Sequence, residues 1–233
     1  MLLVCAAAAA FASSTVPGAS RVAARGRFSI CMSRSLMVPS RDQDGSHLTT
    51  LPVLPALDAE EEMLVQSGKC LRWQQPPDAD NPAGTGFAVQ EISADADDVW
   101  RAVSAFSRYP ELISTVRTAT AYDPPDGEDD EPANVCRYSF LVSRIRLILN
   151  VRFVVDDSQR YVSWRLDRPS WVLDDSTGYW RVQLLPERPG KVRVWFCVGV
   201  RLKRVVPRFV VSLVSRLGLS KATKWLRDLG PPA

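Results

Sequence analysis

Apolar and polar side chains alternate along most of the chain between residues 135 and 202. Successive side chains of a β-strand point to opposite faces of its sheet, so this alternation predicts strands with one apolar and one polar face. The alternating segments follow one another through short turns, which is typical of an antiparallel meander. The segments are VCRYSFLV, IRLILNVRFVV, YVSWRLD, GYWRVQLL and KVRVWFCVGVRL.

The two faces of these predicted strands carry different side chains. The polar face carries arginines that we expect to be solvated, namely Arg146, Arg152, Arg165, Arg181 and Arg193. The apolar face carries the aromatic residues Tyr138, Phe140, Phe153, Trp164, Trp180 and Phe196. From the pattern alone, these aromatic side chains either fill a core or line a cavity, with the core favoured in an ordinary α+β domain.

Upstream of the meander the pattern predicts a strand, a helix and a further strand. FAVQEIS alternates and is a plausible strand, while ADADDVWRAVSAF has the apolar spacing of an amphipathic helix. Ser93 or Asp95 is the expected N-cap of this helix. Tyr109 and Pro110 are expected to end it, because the residue before a proline avoids the helical region. TVRTATAY then predicts the next strand.

The last element predicted is a long helix that begins near Pro207, with apolar residues at three- and four-residue spacing and a kink at Gly218. Its apolar stripe requires an apolar partner, and the apolar face of the sheet is the available one. The predicted fold class is therefore α+β, a helix-grip arrangement in which a curved antiparallel sheet wraps around a long C-terminal helix.

Composition divides the chain into three parts. Residues 1–41 contain five arginines and no acidic residue, and they open with the apolar run MLLVCAAAAAFA before a Ser/Arg-rich stretch. This order is similar to the signal-plus-transit presequences of algae with secondary plastids, with Phe11 at the junction, so 1–39 is expected to be a targeting presequence to a plastid. A mitochondrial presequence is the main alternative, and a disordered N-terminus without an address is a weaker one. Residues 40–84 are expected to be a disordered linker with weak local structure, in which the acidic cluster DAEEE can open a short helix and GKCLRWQ can form an isolated strand, and residues 85–230 are expected to be the folded domain.

Charge and residue content exclude several kinds of function. The chain has 29 basic and 26 acidic residues, so that without the five N-terminal arginines the remainder carries 24 against 26, a net charge of −2. A nearly neutral body argues against nucleic-acid binding, which requires a basic surface. The single histidine, His47, lies in the expected linker, so the domain has none for a histidine base, a catalytic triad or a histidine zinc site. Cys136 and Cys197 lie within apolar strands and are expected to be buried thiols, not metal ligands.

Several segments together resemble a known family. VWRAVSAFSRYPEL, WRLD followed by DDSTGYWRV, VWFCVGVRLKRVVPRFVVSLVSRL and KATKWL occur in this order between residues 86 and 229. They resemble the START-like (SRPBCC) superfamily, which is also described as polyketide cyclase/dehydrase and lipid transport. Within it they are most similar to the coenzyme Q-binding START-domain branch and its plastid-targeted plant and algal members.

This resemblance implies a helix-grip domain that holds a hydrophobic small molecule in an apolar cavity between the sheet and the C-terminal helix. It implies binding, transport or chaperoning without catalysis and without a cofactor, with a prenylquinone or another lipid as the ligand. The resemblance also favours the cavity over the filled core for the inward-facing side chains. The expected cavity residues are Tyr138, Phe140, Leu149, Phe153, Trp164, Trp180, Phe196, Phe209 and Leu213.

A basic cluster follows the last predicted strand. RLKRVVPR places Arg201, Lys203, Arg204 and Arg208 beside valines where this strand meets the predicted helix. Basic side chains with apolar neighbours at a cavity mouth are suited to contact with anionic lipid. A solvated connection between strand and helix explains the same residues equally well, so a peripheral membrane surface is an expected partner only on the first interpretation.

Asp174 and Asp175 are the most enzyme-like residues of the chain, since paired carboxylates beside aromatic side chains occur in acid–base enzymes. Adjacent residues of an extended chain point to opposite sides, and no histidine, lysine or cysteine accompanies them, so we expect a turn or a bulge at DDSTG. The alternative function is a cyclase or dehydratase that uses Tyr138, Asp174 or an arginine. A third possibility is an interaction module based on the acidic loop 123–131.

Overall fold

The computed structural model of the chain describes residues 51–75, 84–124, 132–142, 147–203, 219–220 and 222–230. Three predictions lie wholly or largely outside these residues: the targeting presequence over 1–39, the first part of the C-terminal helix and the acidic loop 123–131.

The described residues include three complete α-helices, eight β-strands and two 3₁₀ segments, and residues 219–220 and 222–223 are also helical. The helices are α1 (Ala59–Gln66), α2 (Ala96–Ser104) and α3 (Tyr109–Leu112). The first strands are β1 (Leu71–Gln75), β2 (Gly84–Ser93), β3 (Val116–Ala121) and β4 (Val135–Val142). The others are β5 (Leu147–Asp156), β6 (Tyr161–Leu166), β7 (Leu173–Leu184) and β8 (Lys191–Leu202). The 3₁₀ segments are Phe106–Arg108 and Lys224–Leu229.

The strands form one curved antiparallel sheet in the order β1-β2-β8-β7-β6-β5-β4-β3. From β3 to β8 each strand pairs with the next one along the chain, which confirms the predicted meander. The early strand β2 then joins β8, and β1 forms the edge beyond it. The predicted α+β class is confirmed.

The inner face of the sheet, defined here as the face that carries Phe140, Phe153, Trp180 and Phe196, contains the main hydrophobic core. Helix α2 contributes Val99 and Val103 to it, as its apolar stripe predicts. Of the two expected caps Asp95 is the real one, since its carboxylate accepts from the backbone N–H groups of Asp97 and Asp98, whereas Ser93 belongs to β2. Helix α2 ends at Ser104, before the predicted end, and Pro110 lies in the first turn of α3.

The outer face contains a second hydrophobic cluster, which the sequence did not predict. Its buried members come from α1 and four strands: Val65, Phe87, Val89, Tyr161, Tyr179, Trp195 and Cys197. Leu51, Leu54 and Leu57 pack against them from the segment before α1. The alternating pattern gave β2 and β8 only one apolar face, but both faces of these strands are largely buried.

Residues 51–75 therefore differ from the expected disordered linker. Asp58 and Glu61 form a capping box at the start of α1, in which each side chain accepts from the backbone N–H group of the other residue, at 3.0 and 2.8 Å. Strand β1 is paired with β2 along its whole length, from Leu71 opposite Val89 to Gln75 opposite Thr85. This segment is ordered because it covers apolar side chains of the outer face.

Because residues 51–75 cover the outer face, Arg193 is buried there, and the expectation that its side chain is solvated is wrong. Its side chain lies between two carboxylates, with Nη2 bonded to Glu91 Oε1 at 2.6 Å and to Glu62 of α1. Glu91 is 2% exposed and also pairs with Arg188 at 2.7 Å. A buried carboxylate and a buried guanidinium require each other, because either one alone leaves an uncompensated charge.

Of the other arginines, Arg152 is also buried, while Arg165 is exposed as predicted and Arg181 is half-buried. Arg146 lies outside the described residues.

We predict that α1 loosens in acid. Arg193 donates to Glu62 and holds the pKa of this carboxyl below its ordinary value of 4.5, against the opposing effect of burial. A lowered pKa in the folded state gives stability that is present above the ordinary pKa and lost as the pH falls through the folded value. Glu62→Gln should cost about 1 kcal/mol of unfolding free energy at pH 7 and almost nothing near pH 3, measured by urea denaturation.

Glu60→Gln is the matched control, since Glu60 is exposed on the same helix. Equal losses for the two variants at pH 7 would contradict the role given to Glu62.

Candidate functional site on the inner face of the sheet

The inner face brings the predicted cavity residues together through the strand register. Phe153 lies opposite Trp164, and Trp164 lies opposite Gly178. Along the neighbouring row Trp180 lies opposite Phe196. Directly paired residues of antiparallel strands share a face, so the register places these side chains side by side.

Most of the predicted cavity residues are buried on this face. Phe140, Leu149, Phe153, Trp164, Trp180 and Phe196 belong to the inner cluster, and Tyr138 is partly buried against it. Phe209 and Leu213 lie outside the described residues. Burial on one face is what the alternating pattern predicted, and whether these side chains contact a ligand stays a prediction.

Over β4 and β5 the inner face is packed against residues that follow α2. The ring of Phe106 stacks on that of Phe153 with centroids 3.9 Å apart, and the ring of Tyr109 lies 5.9 Å from that of Phe140. The Tyr109 hydroxyl donates to the carbonyl oxygen of Val103 at 2.8 Å, which ties α3 to α2. In this part of the domain the aromatic side chains form a filled core.

Over β2, β7 and β8 the described C-terminal residues cover the inner face. Trp225 contacts Trp180 edge to face at 6.1 Å, and Leu219 lies against Gly86, where an added Cβ would come within 3.2 Å of its side chain. Ala222, Trp225 and Leu226 are buried, as the predicted helical spacing requires.

Trp164 lies on β6, between these two covers. Its ring stacks on Phe196 at 5.6 Å and is tilted against Phe153 at 6.5 Å. It also lies across Gly178, where an added Cβ would be 2.3 Å from Trp164 Cζ2 and from the Cys197 carbonyl oxygen. Only glycine at position 178 leaves room for this arrangement of the indole.

Some buried polar atoms of the inner face have no hydrogen-bond partner among the described residues. They include Trp164 Nε1, Gln90 Oε1 and Nε of Arg72, which lies opposite Ala88 and whose Nη2 donates to the Thr223 hydroxyl at 3.2 Å. Gln90 is paired with Val194, whose side chain belongs to the inner cluster. The sequence analysis did not single out Gln90, although its place in alternation with Ala88 and Ile92 was the available signal.

The thiol and phenol groups of the inner face stay neutral near pH 7, while its β1 edge carries the guanidinium of Arg72. Burial raises the pKa of the Cys136 thiol to about 11 and raises the pKa values of Tyr138 and Tyr109. The buried charged residues among those described, Glu91, Arg137, Arg152 and Arg193, all fall on the outer face. Such a surface is suited to holding an apolar molecule and is poorly suited to acid–base chemistry.

Asp174 and Asp175 lie within β7, where the expected turn or bulge at DDSTG is a bulge. Leu173 is opposite Leu202 and Asp175 is opposite Arg201, which leaves Asp174 as the extra residue. Asp174 is exposed, and Asp175 Oδ2 lies 3.9 Å from Arg201 Nη2 with both side chains nearly half exposed. Three strand spacings, about 14 Å, separate β7 from the β4 residue Tyr138, so these groups do not share one substrate.

The predicted basic cluster lies at the end of the sheet where β8 ends and β7 begins. The Lys203 N–H donates to the Val172 carbonyl oxygen at 2.9 Å, which joins the end of β8 to the loop before β7. Arg201 is exposed and Lys203 is half-buried, while Arg204 and Arg208 lie outside the described residues. The loop also exposes Trp171, at 61% of its surface, which the sequence analysis did not assign to this cluster.

Within the described ranges, no group of three histidine, cysteine or acidic side chains is placed to hold a metal ion. None of the helices in the same ranges has the length and hydropathy needed to cross a bilayer.

Solved structures with the same arrangement of strands identify the fold. The Zhui aromatase/cyclase from Streptomyces sp. R1128 aligns with a TM-score of 0.50 and 11% identity, over 69% of this chain and 89% of its own. The chain has the START-like, helix-grip fold. No family model matches the sequence, and no curated protein is significantly similar to it.

Two further similar structures carry START names. A START superfamily protein from Mycobacterium smegmatis has a TM-score of 0.48 and 16% identity, over 62% of this chain and 94% of its own. A STAR-related lipid transfer protein from Xanthomonas axonopodis has a TM-score of 0.48 and 13% identity, over 68% of this chain and 92% of its own.

In this START-like domain, Gly178→Ala should be strongly destabilising. The new methyl group would collide with the Trp164 ring and with the Cys197 backbone, so we expect a loss of about 2–3 kcal/mol in unfolding free energy by urea denaturation. Gly190→Ala is the comparison, because Gly190 has a φ of 78° but open space around it. It should lose about 1 kcal/mol through backbone strain alone. A loss at Gly178 no larger than at Gly190 would contradict the close packing of Trp164 on β7.

Proposed function

We propose that this protein is a non-enzymatic binder of a hydrophobic small molecule, held between the inner face of the sheet and the segments that cover it. The observation that carries this proposal is the chemistry of the inner face, which combines aromatic and aliphatic side chains with a few unpartnered polar atoms and whose described charge, Arg72, lies on the edge strand β1. Ligand sites for lipids have this composition, a largely apolar wall with a few polar groups.

The finer proposal is that the ligand is a prenylquinone and that the protein binds, transports or chaperones it in a plastid. Its support is the resemblance of the sequence to the coenzyme Q-binding branch, together with the signal-plus-transit composition of 1–39. A mitochondrial location, with the corresponding quinone, is the alternative. An isoprenoid tail suits an apolar wall, because each methylene removed from water contributes about 0.8 kcal/mol.

The fold alone admits an enzyme as well, since the Zhui protein that shares it is an aromatase/cyclase. The position of the two candidate carboxylates argues against an enzyme, because Asp174 and Asp175 lie at the solvent-exposed start of β7. Turnover of a polyketide-like substrate that disappeared in a folded Asp174→Asn variant would favour the enzyme.

We predict that the full chain, purified under non-denaturing conditions from plastid-containing cells, carries a prenylquinone or another lipid at a stoichiometric level. Solvent extraction and mass spectrometry measure it, with a mock purification from cells that lack the protein as the control. Repeated preparations without lipid, which also fail to take up prenylquinone from detergent, would contradict the proposed function.

A ligand of this kind is exchanged with membranes, and the exposed end of the sheet has the side chains for contact with one. Trp171 and Ile148 expose 61% and 55% of their surfaces there. The backbone bond from Asp167 to Asn150, 2.8 Å long, keeps the start of β5 beside this loop. Arg168, Arg201 and Lys203 supply positive charge, against Asp174 and Asp175. Tryptophan and basic side chains together favour the interface of an anionic bilayer.

We therefore predict that Trp171→Ala weakens binding of the full chain to vesicles containing phosphatidylglycerol roughly 5- to 10-fold, because the apolar area of the indole is lost. Sedimentation with the vesicles measures it. Leu184→Ala is the matched control, since Leu184 is also exposed, by 51%, but lies at the opposite end of β7. Equal effects of the two substitutions would show that binding is not localised at the Trp171 end.

A further inference from the structure

The indole N–H of Trp164 is a buried donor without an acceptor. Trp164 is 5% exposed, and none of the described residues offers Nε1 a hydrogen bond. Other buried tryptophans do have acceptors: Trp100 donates to Asp157 at 2.8 Å, Trp195 to Gln183 at 2.8 Å and Trp225 to Ala222 at 2.7 Å. Trp164 departs from this rule, and buried polar groups without partners require an explanation.

The indole of Trp164 is contacted from three sides. Gly178 lies beneath the ring, and Phe153 of β5 and Phe196 of β8 pack against it. These contacts restrict rotation about the side-chain bonds. The direction of the N–H is therefore set by the sheet itself, which is what a preorganised binding group requires.

Gln90 is a weaker candidate for the same role. Its amide can present either its oxygen or its nitrogen by rotating through 180°, whereas the indole can only donate. Gln90 lies on β2, which is three strands away from the strand of Trp164. Along β2 it is four residues from Gly86, and Gly86 lies in the same cross-strand row as Trp164. This separation is about 20 Å measured along the sheet, too far for one compact polar group to reach both.

We propose that Trp164 donates a hydrogen bond to the bound ligand, and that the ligand is a neutral apolar molecule carrying an acceptor oxygen, such as a quinone carbonyl. This inference rests on the proposed function and adds the position and chemistry of its polar contact. The acceptor is uncharged, because Arg72, the cation that the inner face carries on β1, lies four strands from Trp164, about 19 Å along the sheet, and is too far away to compensate a carboxylate beside the indole. Free fatty-acid anions are therefore poorer ligands than neutral carbonyl lipids of similar length.

The test uses the full chain with ¹⁵N-labelled tryptophan and two probes that differ in the acceptor, decyl-1,4-benzoquinone and decylbenzene. The Trp164 indole resonance is assigned as the one missing in Trp164→Phe, which keeps an aromatic ring and removes the N–H. Decylbenzoquinone should shift this proton resonance downfield, and decylbenzene should not.

In displacement of a fluorescent apolar probe, Trp164→Phe should weaken decylbenzoquinone binding roughly 5-fold, the value of one neutral hydrogen bond, and change decylbenzene binding by less than about 2-fold. Trp195→Phe is the matched control, because it removes an indole N–H from the outer face of the same sheet. It should alter neither affinity.

The outcomes separate this inference from the proposed function. If both probes bind but the Trp164 resonance does not respond to the quinone, or if Trp164→Phe weakens both probes equally, the hydrogen bond is wrong and apolar binding stands. If neither probe binds, the proposed function fails and the inference fails with it. If Trp164→Phe does not fold, the Trp164 resonance is assigned in the unsubstituted protein from its NOE contacts to the rings of Phe153 and Phe196, and its response to the two probes decides the matter.

Discussion

Strand β8 is buried on both of its faces, and the arrangement of the rest of the domain follows from this. Phe196 and Val198 face the inner cluster, while Trp195 and Cys197 face the outer one. A strand with two apolar faces requires a cover on each side, because either face left in water would expose a large apolar surface. The inner cover comes from α2, α3 and the C-terminal residues, and the outer cover comes from residues 51–66.

The two covers divide the charges of the domain between the faces. On the outer side Arg193 reaches Glu91 of the sheet and Glu62 of α1, so that the cover is joined to the sheet by ion pairs as well as by apolar contacts. On the inner side burial raises the pKa values of the Cys136 thiol and the Tyr138 phenol, and the described charge is Arg72 at the β1 edge, where it donates to Thr223. This division leaves the inner face as an apolar surface whose polar atoms are few and individually identifiable.

Features of the fold that depend on the local sequence were predictable, whereas features that depend on contacts between distant parts of the sequence were not. The ends of β8 and the inward direction of Phe140, Trp164 and Trp180 follow from the alternation of side chains, which is local. The start of β7 was missed, because DDSTG has the composition of a turn and its strand conformation depends on pairing with β8. The burial of Arg193 was missed for a stronger reason: its partner Glu62 is 131 residues away in the sequence.

The unpaired donor of Trp164 bears on whether the inner face is a filled core or a ligand site. Leaving a buried donor without an acceptor costs about 1–3 kcal/mol, and a phenylalanine could lie across Gly178 and contact Phe196 without this cost. In a core that only had to be filled, the indole would be the poorer side chain at this position. In a site that binds a molecule with an acceptor oxygen, the cost applies only while the site is empty, and the fixed N–H then selects among apolar molecules that the rest of the wall cannot distinguish. The part of the inner face over β4 and β5 is packed as a core, and Trp164 lies at the edge of this packing, where its ring meets Phe153.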